Sequence, residues 1–177
     1  MPAIDPGRSL LVVVDFQGRL MPAIHEGTTA VHNTRRLLDM AGLLEVPRLF
    51  TEQNPKGLGT TVEELVVDGV PIVHKQTFDA CRQPGFLDQV PVDADVVVTG
   101  CEAHVCVQQT VLGLIGAGRH TYVVADAVGS RRAEDKEAAL RRMERHGAEI
   151  VTAEMVMFEW LQSAENPRFR QAMVLIK

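Results

Sequence analysis

Short apolar runs along this chain alternate with longer stretches in which apolar residues recur every three or four positions. Ser9-Leu10-Leu11-Val12-Val13-Val14-Asp15 is a continuous apolar run that ends in an acid, as suits a strand buried on both faces of a parallel sheet. Asn33 to Leu44 places Leu37, Leu38, Ala41 and Leu44 on one helical face. Val46 to Thr51 reads as a second strand, with Pro47 near its start, where a missing N–H is tolerated. Thr60 and Thr61 each precede a glutamate by three residues, a doubled capping-box signal for a helix start. After Gly69, Val70 to His74 is a third strand.

The second half repeats the alternation. Ala94 to Gly100 is a central strand, followed by a helix through Val107, Thr110, Val111, Leu114 and Ile115 that Gly116 and Gly118 punctuate. His120 to Asp126 is a fifth strand, Arg131 to His146 a long helix ended by Gly147, and Glu149 to Thr152 a short last strand. Glu154 to Gln162 and a segment opened by Asn166-Pro167 and carrying Phe169, Met173 and Ile176 are the closing helices. This order predicts a three-layer α/β/α fold, with a mainly parallel sheet of about six strands in the order 3-2-1-4-5-6. Residues 1–177 read as a single domain with no repeat or linker. In such sheets, ligands bind beyond the carboxyl ends of the strands.

Three chemistry-bearing side chains fall at that edge. Asp15 ends the first strand, Lys75 follows the third, and Gly100 to Cys106 leads from the fourth into a helix. Taken singly, each has an ordinary explanation: a solvated strand end, a surface lysine, a small buried hydrophobe. Together they form a nucleophile set. Cys106 would attack an electrophilic carbon, Asp15 would take and return its proton, and Lys75 would hold the charges together. Free N–H groups in the Glu102–Cys106 turn would stabilise an oxyanion. A place in the first turn of a helix beside an ammonium predicts a lowered thiol pKa. One geometric demand follows from the strand order. Strand three lies two spacings, about 10 Å, from strand one, so Lys75 must reach inward.

The other candidates are weaker. Cys101, His104 and Cys106 do not have a common zinc spacing, and Gly113, Gly116 and Gly118 close a helix where a dinucleotide site needs them to open one. Phe16, Leu20 and Phe78 stand near the triad as apolar pocket walls, with Gln17 and Gln53 as polar contacts and His104 at the border. Cys81 reads as a pocket wall or a loop thiol, and Lys56 to Gly59 as a pocket rim without phosphate-loop spacing. A net charge of −5 with scattered Lys and Arg gives no electrostatic footprint for nucleic acid. No stretch reaches the roughly 18 apolar residues of a membrane span. The N-terminus has no signal-like apolar region, and three cysteines are no disulfide framework, so a cytoplasmic protein is expected.

Val12-Val13-Val14-Asp15-Phe16-Gln17, His74-Lys75-Gln76-Thr77-Phe78 and Val98-Thr99-Gly100-Cys101-Glu102-Ala103-His104-Val105-Cys106-Val107 resemble the isochorismatase-like cysteine hydrolases over nearly the whole chain. The resemblance implies the triad Asp15, Lys75 and Cys106, and hydrolysis of a small amide, carbamoyl or related C–N substrate. It also implies a cis peptide between Cys101 and Glu102 that aims the amides of Glu102 and Cys106 at the oxyanion. The family motif usually carries Thr where Ala103 stands. Thr51 to Gly59 is similar to the YcaC-like and isochorismatase-domain-containing branch. Nicotinamidases hold a metal near this place, whereas here Glu52, Gln53 and Asn54 occupy it, which implies neither metal nor other cofactor. Members commonly form dimers or larger homo-oligomers. Two other readings stay open: vinyl-ether hydrolysis as in isochorismatase itself, and a non-enzymatic thiol redox or scaffold protein.

Overall fold

The first strand, β1 (Ser9–Val14), is buried along its whole length because it lies in the middle of the sheet. Its side chains alternate between two cores: Leu11 and Val13 face one, Leu10, Val12 and Val14 the other. The computed structural model describes residues 3–177. The remaining strands are β2 (Arg48–Gln53), β3 (Ile72–Lys75), β4 (Asp95–Cys101), β5 (His120–Gly129) and β6 (Glu149–Val151). All pair in parallel, in the order β3-β2-β1-β4-β5-β6. The sheet and its order match the sequence-based expectation.

The helices are α1 (Gly27–Leu43), a single turn α2 (Pro55–Leu58), α3 (Gln108–Gly116), α4 (Ala133–Arg145), α5 (Ala153–Leu161) and α6 (Phe169–Ile176). The core that holds Leu11 and Val13 is covered by α1, α5 and α6, through Leu37, Leu38, Val156, Met157, Trp160 and Ala172. The core that holds Leu10, Val12 and Val14 is covered by α3 and α4, through Val111, Leu114, Ala139 and Met143. Among the described residues, no helix is long and apolar enough to cross a membrane.

Several boundaries differ from those the pattern predicts. Helix α1 begins at Gly27, ahead of Asn33, since its first turns bury only small residues such as Ala30 and show little apolar repeat. The doubled capping signal at Thr60 and Thr61 yields only a short turn at Glu63–Leu65. The Thr61 amide and hydroxyl both donate to buried Glu52 Oε1, at 2.7 and 2.8 Å, so the hydroxyl is engaged away from any helix. Helix α6 starts at Phe169, not at Pro167, because Asn166 closes a turn on the Arg168 amide instead of capping a helix. Strand β5 runs past Asp126 to Gly129 through a register shift opposite Val98 and Gly100, which brings Gly129 beside Cys101.

One glycine admits no side chain. Gly100 pairs with Val14 at φ +147°, and a Cβ there would lie 2.4 Å from the Val14 carbonyl oxygen. Both partners are inner-strand backbone and neither can retreat. Gly100→Ala should therefore cost about 3 kcal/mol or more in a urea unfolding curve. A loss below about 1 kcal/mol would contradict this packing.

Candidate functional site

The carboxyl edge of the sheet assembles the site from three strands and one turn. The chain leaves β1 through Asp15 at φ +52°, a left-handed conformation that Asp tolerates better than most residues. A tight bond from the Gln17 amide to the Asp15 carbonyl, 2.9 Å, reverses the chain there. The carboxylate is buried and held at both oxygens. Oδ2 accepts from Lys75 Nζ at 2.7 Å, and Oδ1 accepts from the Thr51 hydroxyl at 2.6 Å.

Lys75 ends the edge strand β3 and reaches across β2, as the strand order requires. Its side chain has no solvent exposure. Beyond Asp15, its ammonium donates to the carbonyls of Thr77 at 3.2 Å and Phe78 at 3.3 Å. These bonds account for all three ammonium protons. The Phe78 carbonyl also accepts from the hydroxyl of Thr110, at 3.5 Å, and the Ala80 amide donates to that same hydroxyl, at 3.0 Å. Thr110 lies one turn beyond Cys106 on α3, so the lysine loop and the cysteine helix are tied together.

Cys106 sits in a wide π-type turn, Ala103–Val107, between β4 and α3. It is 7% exposed. The amides of Val105 and Val107 both donate to the Glu102 carbonyl, at 3.1 and 3.2 Å. The peptide between Cys101 and Glu102 is cis. The expectation of an acidified thiol does not hold. Burial pushes the Cys106 thiol above the ordinary value, the Asp15 carboxylate pushes it further, and Lys75 offsets only part of this. Desolvation of the anion outweighs the turn's dipole and the ammonium, whose charge is already matched to Asp15. These surroundings favour the protonated thiol.

The neighbouring polar groups are mostly committed to the backbone. Gln17 is buried, and its Nε2 donates to the carbonyls of Gln53 and Gly59, while its Oε1 accepts from the Gln53 amide. Gln17 therefore clamps the Gln53–Gly59 loop and has little left for a ligand. Glu102 Oε1 accepts from the Arg131 amide and Nε, pinning the cysteine turn to the end of β5. His104 Nδ1 meets Ser130 Oγ at 2.9 Å and its Nε2 lies 3.9 Å from Asp135, so its partners lie on the α4 side. Phe16, 1% exposed, lies within the hydrophobic core, and partly buried Leu20 packs against that core. Phe78, 49% exposed, and half-buried Gln53 remain at the open edge. Cys81, in the loop after Lys75, is not an activated thiol: burial and Asp79 push it up to about 12.

Sequence reasoning missed Thr51. A β-branched residue inside a strand reads as a strand former, and nothing in its spacing marks a contact with Asp15. Among the described residues, no group of three or more His, Cys, Asp or Glu side chains is arranged to hold a metal ion. The larger cavities lie away from the triad. One of about 600 Å³ lies between the Gly18–Pro22 segment and α1, lined by Met21, Val31, His32, Arg35, Val62 and Glu64.

Known proteins carry the same arrangement of chain. The isochorismatase domain model matches residues 9–155. Isochorismatase domain-containing protein 1 of Danio rerio is 37% identical over 98% of this chain, which spans 62% of that protein's length. The structure named MAR1 ribonuclease, from Caenorhabditis elegans, superposes with a TM-score of 0.92 at 36% identity, covering 98% of this chain and 92% of that one. YcaC of Escherichia coli, described as an octameric hydrolase of unknown specificity, shares the fold at a TM-score of 0.88 and 23% identity, over 98% of this chain and 96% of its own. By the extent of the domain match and the identity to these relatives, the chain belongs to the isochorismatase family.

Proposed function

We propose that this chain is a cysteine hydrolase acting on a small amide, carbamoyl or related C–N substrate through a covalent intermediate on Cys106. The observation that carries the reading is the buried Asp15–Lys75 pair, placed against the Cys106 thiol with every ammonium proton accounted for. Such a lysine cannot donate to a substrate without breaking one of these bonds. The carboxylate is the group able to accept a proton.

The steps follow from that geometry. As the sulfur attacks the carbonyl carbon, the S–H proton passes to Asp15 and the carbonyl electron pair moves to oxygen. The family resemblance makes the amides of Glu102 and Cys106 the donors for that oxyanion; those of Val105 and Val107 donate to the Glu102 carbonyl. Collapse of the tetrahedral intermediate breaks the C–N bond, and the leaving nitrogen takes the proton back from Asp15. A water, deprotonated by Asp15, then cleaves the thioester-type intermediate and frees the thiol. Lys75 holds the Asp15 side chain in place through both halves. The net charge of −5 disfavours a polyanion, so the ribonuclease name of the worm protein is not carried over to this chain.

Mass spectrometry after incubation with a panel of small amides and carbamoyl compounds should find an adduct on Cys106 and none on Cys81 or Cys101. Trapping at another cysteine, or turnover retained in Cys106→Ala, would sink the reading. Lys75→Met strands a buried carboxylate and should lose about 3–5 kcal/mol of stability together with adduct formation. The pH dependence has a definite sign. Because the folded-state pKa of Cys106 is raised, the thiol stays protonated through neutral pH, and acrylamide alkylation of Cys106 should show no thiolate inflection between pH 6 and 8. An inflection there would mean a preformed thiolate.

A further inference from the structure

We infer that Thr51 is a positioning residue for the general base, its hydroxyl holding Asp15 as a correctly oriented carboxylate facing Cys106. The inference rests on the covalent reading above and adds to it a residue outside the triad. Thr51 is wholly buried, and its Oγ1 lies 2.6 Å from Asp15 Oδ1. An ionised carboxylate accepts only, so the hydroxyl is the donor in that bond. The same residue also holds the Asp15 main chain, since the Asp15 amide donates to the Thr51 carbonyl at 3.1 Å. Backbone and side chain of the base are thus fixed by one neighbour, at a position where φ is +52°.

The face of the sheet matters as much as the distance. Along β2, Leu49 belongs to the core under α3 and α4, whereas Phe50 belongs to the opposite one. Two-residue alternation puts Thr51 on the α3 side, the side that also contains Cys106. Glu52 points the other way, where Thr61 and His74 meet it. The hydroxyl therefore reaches Asp15 from the face on which the thiol sits. With Lys75 on Oδ2 and Thr51 on Oδ1, the carboxylate plane cannot rotate, and its remaining lone pairs are presented to the S–H. The charged or titratable groups around this point are Lys75 from β3, Cys106 from the turn before α3, and Glu102 from the turn after β4. Without this hydroxyl, a buried carboxylate oxygen would lose its donor from β2.

The test uses acrylamide as electrophile on the full chain, with the rate of Cys106 adduct formation followed by intact mass and peptide mapping from pH 4 to 9. Circular dichroism checks the fold at each pH. Thr51→Val should move the acid limb of that profile up by about one pH unit, the worth of one hydrogen bond to a charged group. Thr51→Ser should restore the wild-type limb, which a merely space-filling role would not do. A folded Thr51→Val protein with the wild-type limb, or a Thr51→Ser protein displaced as far as Thr51→Val, would overturn the inference. Should Thr51→Val not fold, Thr51→Ala carries the same expectation, and failure of both to fold would assign the hydroxyl to stability and overturn it too. Asp15→Asn separates the two levels. If it leaves the wild-type profile unchanged, the base reading falls and this inference with it. If it abolishes the limb while Thr51→Val does not move it, the inference alone falls.

Discussion

Two opposite charges without any solvent exposure, Asp15 and Lys75, set the terms for everything at the carboxyl edge of this sheet. Removing a carboxylate and an ammonium from water costs several kcal/mol for each, and their attraction offsets this only if the remaining donors and acceptors are also satisfied. Here they are. The carbonyls of Thr77 and Phe78 take the other lysine protons, and Thr51 donates to the second carboxylate oxygen. The loop after β3 has to curl back to bring those carbonyls within reach, and Thr110 on the cysteine helix holds the curl in place. The ion pair therefore organises three strands, one loop and the start of α3 at once.

That same burial decides the chemistry available to Cys106. A partly exposed thiol at a helix terminus beside an unpaired cation would ionise near neutrality. This one is enclosed, and the cation beside it is already neutralised by Asp15, so the thiol form is favoured. Under the proposed reading, attack by the sulfur is coupled to proton transfer, and a carboxylate fixed at both oxygens is suited to that coupling.

The surrounding scaffold engages the polar groups near Asp15, Lys75 and Cys106 in bonds to the protein. Gln17 closes the Gln53–Gly59 loop, Glu102 ties the cysteine turn to Arg131, and His104 meets Ser130 and Asp135. Each of these side chains lies near the triad in sequence and looks like a ligand contact when read alone. Their hydrogen bonds go to protein partners. Gly100 serves the same end by another means: without a side chain it lets β4 approach β1 closely, which brings the Cys106 turn beside Asp15.

The sequence by itself determined the sheet, its strand order, and the placing of Asp15, Lys75 and Cys106 at one edge. Continuous apolar runs such as Leu10–Val14 specify buried parallel strands through local periodicity, and the chirality of the crossovers leaves few ways to order them. Helix boundaries were less legible, because Thr60 and Thr61 carry a cap signal that Glu52, distant in sequence, overrides by accepting the Thr61 bonds. Only the tertiary structure decided the surroundings of the side chains at this edge. Whether Phe16 lines a pocket or fills a core, whether Gln17 contacts a ligand or a loop, and which form the thiol takes all depend on burial and on partners contributed by other strands. Thr51 is the clearest case. Nothing in its own stretch of chain marks it, and its meeting with Asp15 arises from the register of β1 against β2, a non-local property that no local pattern encodes.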